Sequence, residues 1–189
     1  MKSVVAGCVA ALVLVGAAGC STPSGGVAAE VDGHVITQAQ VQRSAQGTMD
    51  VLTKDPQYAK FDGVAFALQN YIVGQMLSEG LSGLGVTITD EQRDQYWSQI
   101  FDPAGAEYTL WSNPGARECL NGYVDLAIVN SMIKAGDIDA DRLLSLVNAL
   151  PITVSPRYGT WDVEAWNVTS RVSKTASGVL ADPITLTTR

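Results

Sequence analysis

The run Ala28-Ala29-Glu30-Val31-Asp32-Gly33-His34-Val35-Ile36-Thr37 holds two short apolar arms around Asp32-Gly33. Both turn residues tolerate positive φ, so the spacing predicts a β-hairpin. Thr37 stands where a helix N-cap belongs. Behind it Val41, Ala45, Met49 and Leu52 recur at helical spacing, with Gln38, Gln42 and Gln46 between them. Asp55-Pro56 marks the end of that helix.

Downstream the helical period continues. A second helix is expected from about Asp62 to Leu84, with Val64, Leu68, Ile72 and Met76 on one face and Val73, Leu77 and Leu81 on another. Apolar character on more than one side predicts a central, buried helix. Gly74, Gly80 and Gly83 each weaken it by about 1 kcal/mol relative to Ala, a cost that close approach of a neighbouring helix would offset. Gly85 is placed to stop it. Thr89-Asp90-Glu91-Gln92 has capping-box spacing and opens a third helix with Tyr96, Trp97, Ile100 and Phe101. After Asp102-Pro103 comes a short aromatic segment with Tyr108 and Trp111. Asn113-Pro114 then begins a long helix expected to reach Ala135 and stop at Gly136. A last helix spans roughly Asp139 to Ala149, and Pro151 forces the exit. Ile152-Thr153-Val154 and Thr160-Trp161 read as extended pieces. The fold class expected is mainly α, with about five helices and a small β element formed by the N-terminal hairpin and a C-terminal extended segment.

At the N-terminus, Lys2 precedes an unbroken apolar stretch from Val4 to Val15, then Gly16-Ala17-Ala18-Gly19 and Cys20. A basic start, a short apolar core and small residues at the cut form a secretory signal. The apolar core is too short for a permanent span, which takes about 20 residues. A cysteine directly after the small residues makes Ala17-Ala18-Gly19-Cys20 a lipobox, with Cys20 as the lipidation site. The alternative is an ordinary cleaved signal with an incidental cysteine. The Ser-, Pro- and Gly-rich Ser21-Thr22-Pro23-Ser24-Gly25-Gly26 favours the lipobox, since it reads as a tether. The expected organisation is a signal at 1–19, a lipidated tether at 20–27, a helical domain at 28–166 and a Ser/Thr-rich flexible tail at 167–189. The expected location is the extracytoplasmic face of the cell membrane.

Removing residues 1–19 from 189 leaves 170, enough for one domain with a real core. The formal net charge is −7, one unit more negative once Lys2 leaves, and no Lys/Arg cluster occurs. That argues against nucleic acid and against electrostatic docking on anionic lipid. Of three cysteines, Cys8 goes with the signal and Cys20 is acylated. Cys119 is left without an intrachain partner and reads as a small buried hydrophobe.

Little in the sequence points to catalysis. His34 is the only histidine, and no recognisable nucleophile or base accompanies it. Asp137-Ile138-Asp139-Ala140-Asp141 begins like a calcium loop, but Arg142 and Asn148 stand where glycine and glutamate are required, so helix capping is the better reading. Asp90, Glu91 and Asp94 sit at the start of a helix and suit its dipole. No phosphate loop is present. No cofactor, metal or catalytic residue is expected. The aromatic set Tyr96, Trp97, Phe101, Tyr108 and Trp111 has two readings: ordinary core, or an apolar groove for unfolded segments or a partner helix, with Tyr96, Trp97, Phe101 and Trp111 as candidate peptide-binding residues.

Three segments in order resemble the SurA-type chaperones, whose N-terminal domain is shared in part by other extracytoplasmic peptidyl-prolyl isomerases. These are Val31–Thr37 leading into a Gln-rich helix, the long apolar helix running into Leu84-Gly85-Val86-Thr87-Ile88-Thr89-Asp90-Glu91, and Ser155-Pro156-Arg157-Tyr158-Gly159-Thr160-Trp161-Asp162. The last is similar to a segment of small actinobacterial lipoproteins. The resemblance covers about residues 28–100 and part of 151–162, while 101–150 match only as helix. It implies a SurA N-terminal-like fold in which the later chain returns beside the hairpin. It also implies a membrane-anchored, non-catalytic chaperone or holdase for unfolded exported polypeptides. The competing expectation is a structural or scaffolding lipoprotein that binds one envelope protein partner. A parvulin domain takes on the order of 100 residues and does not fit beside the helical domain, so isomerase activity is not implied. The glycines of the second helix also depart from the family's Leu/Lys/Glu-rich habit.

Overall fold

The computed structural model describes residues 26–52, 54, 62–100, 106–162 and 167–169. The signal at 1–19, Cys20, the tether up to residue 25, Phe101 and residues 170–189 lie outside the described residues, as does the side chain of Tyr108. The described chain is mainly helical with a small antiparallel sheet.

The hairpin forms as its sequence predicts. Strands β1 (Val27–Val31) and β2 (His34–Thr37) are joined by Asp32 at φ 47° and Gly33 at φ 82°. Two consecutive positive φ values give the turn that matches strand twist, and they explain why Asp-Gly occupies it. A register shift between Val27 and Ala29 lets both Ala28 and Ala29 turn inward, where each is fully buried. β1 starts one residue inside the expected tether, because Val27 already pairs with Thr37.

An isolated hairpin is marginal in water. Here β3 (Ile152–Val154) adds to the other side of β1, giving the order β2-β1-β3 with Ala29 opposite Val154 and Val31 opposite Ile152. Asp32 N donates to Pro151 O and Ser155 N to Ala28 O, extending the ladder at both ends. The later chain does return beside the hairpin. β4 (Thr160–Asp162) pairs with β5 (Asn167–Thr169) in a second small sheet. This corrects the boundary at 167: the first three residues assigned to a flexible tail form a strand. Val168 and Thr169 are β-branched, and a short edge strand does not need the long apolar period whose absence suggested a tail.

Six helices occur among the described residues: α1 (Gln38–Leu52), α2 (Gly63–Gly83), α3 (Asp90–Ile100), α4 (Ala106–Ser112), α5 (Pro114–Ala135) and α6 (Ala140–Asn148). The sixth is α4, where the sequence suggested only a short aromatic segment. The caps follow the sequence closely. Thr37 and Gln40 bond reciprocally at the start of α1, and Thr89 and Gln92 do so at α3. Asp62, Asn113 and Asp139 accept from the first backbone amides of α2, α5 and α6. Gly136 closes α5 at φ 85°.

α2 is the centre of the molecule, packed against α5, α1, α6 and β1. Both of its apolar faces are used: Leu68, Ile72 and Met76 are buried, and so are Val73, Leu77 and Leu81. Its glycines mark where neighbours come closest. A Cβ on Gly74 would stand 3.0 Å from Gly122 Cα, and one on Gly80 would stand 2.6 Å from Val147 Cγ1. Burial of surrounding apolar surface at about 25 cal/mol per Å² offsets the helix propensity lost at these positions.

Candidate functional site

α3, α4 and α5 bring the aromatic residues together with two ion-pair systems. Trp97 and Trp111 stack with ring centroids 4.8 Å apart and planes 16° from parallel, and Tyr123 meets Trp97 edge-on at 6.4 Å. Trp97 is 2% exposed and Trp111 is 5% exposed. This corrects one of the two readings of the aromatic set: Trp97 and Trp111 are core and do not line an open groove. The physical reason is their helical placement, which turns both rings inward against α5, where stacking and desolvation reinforce one another. Tyr96 is half-buried and packs against the same core.

A buried indole still has a polar edge to satisfy. Trp111 Nε1 donates to Asp94 Oδ1 at 2.8 Å, and Arg117 Nη2 lies 2.8 Å from the same oxygen. The Arg117 guanidinium also sits 4.5 Å from the centroid of the Trp111 ring, a cation–π contact. Burial acts to raise the Asp94 pKa, but the Trp111 N–H and the Arg117 charge together bring it below the ordinary value. Asp94 is therefore not merely a helix-dipole residue. The indole N–H of Trp111 was the sequence signal for such an acceptor, though nothing in the spacing named Asp94.

Next to Asp94 in the chain, Arg93 donates through Nε and Nη2 to the two carboxylate oxygens of Asp125, at 2.7 and 3.0 Å, and through Nη1 to Asp90 at 2.7 Å. Asp125 is buried. Desolvation pushes its pKa up, and Arg93 pulls it back only in part. The hydrogen bond to Asp125 holds the Arg93 guanidinium firmly protonated. Sequence reasoning missed this pair, because an aspartate on a helix facing inward gives no signal until the arginine of another helix is seen to reach it. The two systems fasten α3 onto α5.

Elsewhere, His34 is exposed, with Nε2 3.2 Å from Glu79 Oε1 on α2. Cys119 is fully buried and free. Burial pushes its thiol up to about 12, and its Sγ donates to Ala116 O. The Asp139 carboxylate accepts from Arg142 N, the capping role expected of that acidic run. Among the described residues, no group of three or more His, Cys, Asp or Glu side chains is arranged to hold a metal ion. No helix among them is long and apolar enough to cross a membrane. The large apolar side chains exposed among the described residues are Val27 and Val35. No protein-family model, no curated protein and no solved structure matches the chain.

Proposed function

We propose that this chain is a lipid-anchored, extracytoplasmic and non-catalytic binding domain of the cell envelope, which holds one native protein partner near the membrane. The anchor is read from the lipobox ending at Cys20. The observation that carries the choice of partner is the closed aromatic cluster: Trp97 and Trp111, the rings that would have floored a peptide groove, are buried in the described core. A holdase for many unfolded chains needs such a surface, since it recognises apolar segments by area and shape. A scaffold needs only one complementary patch.

The second reading, a holdase, is supported by the SurA resemblance of the hairpin, the long apolar helix and the later strand segment. The two separate in one experiment. Crosslinking in intact cells, followed by identification of captured proteins, is expected to return one dominant folded partner. A broad set of unrelated exported chains, together with suppressed aggregation of unfolded test substrates, would overturn the scaffold in favour of the holdase.

A further inference from the structure

The two large apolar side chains exposed among the described residues lie on one face of the hairpin. Val27 is directly opposite Thr37 in the β1–β2 ladder, and Thr37 lies two residues from Val35 on the same strand, so all three point to one face of the sheet. Val27 is 48% and Val35 49% exposed. Glu30 and Thr153 continue that face across β1 and β3.

The same corner is where the chain leaves toward its N-terminus, and the exit is fastened. Gln38 N donates to Gly26 O at 2.6 Å and Gln38 Nε2 to Val27 O at 3.4 Å, while Gln38 Oε1 accepts from Arg157 Nη1 at 2.7 Å. Arg157 is exposed and, through Gln38, adds a cation near Val27. From Ser21 to Val27 the chain reaches at most about 25 Å at roughly 3.5 Å per residue.

We propose that this sheet face, with Val27 and Val35 and with Arg157 at its margin, seats on the phospholipid bilayer surface. The inference rests on the lipid-anchor reading. A short tether that ends on the sheet corner brings that corner to the membrane before any other part of the domain. The valines then meet the boundary between headgroups and acyl chains, and the Arg157 guanidinium meets lipid phosphate. Glu30 in the middle of the face keeps it at headgroup depth. The domain is thereby held in one orientation with the sheet face toward the lipid, and α3, which packs on α4 and α5, serves as the reference surface.

The test uses full-length lipidated protein in vesicles of phosphatidylcholine and phosphatidylglycerol. Val35→Cys and, as control, Ser98→Cys on the exposed side of α3 each carry an environment-sensitive fluorophore. Cys119 is buried and Cys20 acylated, so the label goes to the introduced thiol. At 35 the emission is expected to shift to the blue and be quenched by a lipid-borne quencher, while at 98 it stays as in water. Protein that floats with the vesicles but shows the same water-like emission at both positions overturns the orientation and leaves the anchor standing. A blue shift at 35 that the lipid quencher does not touch shows that protein, a second copy or a partner, covers the face, and also overturns it. Loss of vesicle association altogether, with no acyl mass on the chain, overturns the anchor reading and the orientation with it.

Discussion

Gly122 on α5 sits directly over the Asn70 carbonyl of α2, so close that a Cβ at position 122 would overlap the carbonyl oxygen. Gly74, one turn further along α2, faces the same Gly122 Cα. This contact sets the approach of the two longest helices. Gly122→Ala gains about 1 kcal/mol of helix propensity but forces the helices apart, and a net loss of about 2–3 kcal/mol is expected from overpacking. Denaturant unfolding measures it. A variant as stable as the parent would show that the helices separate freely there.

Trp97→Ala and Trp111→Ala are each expected to cost about 3–5 kcal/mol of stability, the range for removing a large buried aromatic. Thermal melts monitored by circular dichroism check this. Trp111→Ala also strips Asp94 of its indole donor and Arg117 of its ring. Unchanged stability together with weakened binding of unfolded peptide would instead place the two rings on a working surface.

Much of this fold was legible in the sequence because its signals are local. Asp32-Gly33, Thr37, Thr89-Gln92, Asn113-Pro114 and Gly136 specify turns and caps from within four residues, and each does in the structure what its chemistry dictates. The buried character of α2 followed from apolar residues on both sides. The relations between distant elements were not legible. Gly122 carries no signal until Asn70 is opposite it, and Arg93 and Asp125 lie 32 residues apart on different helices. Helical spacing put Trp97 in a helix and left Trp111 in a short aromatic segment, without showing that the two rings stack beneath α5.

Stability should depend on Asp94 at acid pH. Its folded-state pKa lies below the ordinary carboxyl value, so it stabilises the fold above about pH 3.9, its unfolded value, and loses that contribution as pH falls through the folded value. Asp94→Asn should therefore lower stability at neutral pH and flatten the acid limb. The effect is small, because Asp94 is half-exposed to water. Melting temperatures of both proteins from pH 7 down to about pH 3 test this, and parallel curves would contradict it.

Cys119 should be inert in the native protein. It is fully buried and its thiol is pushed up to about 12, so at neutral pH it is neither accessible nor a thiolate. Iodoacetamide is expected to leave it unmodified under native conditions and to alkylate it completely in denaturant. Rapid native modification would mean that α1 and α5 part readily over it.

The proposal as a whole stands on Cys20. If residues 1–19 are a lipoprotein signal, the mature chain begins at Cys20 and carries acyl groups on it, and Cys20→Ser leaves the chain uncleaved or unanchored. The most direct measurement is the intact mass of the protein extracted from the membrane fraction of its own cells. The expected mass is that of residues 20–189 plus a diacylglyceryl group, with or without a further acyl chain. A mature chain that starts at another residue, or that starts at Cys20 without acyl mass, would contradict it.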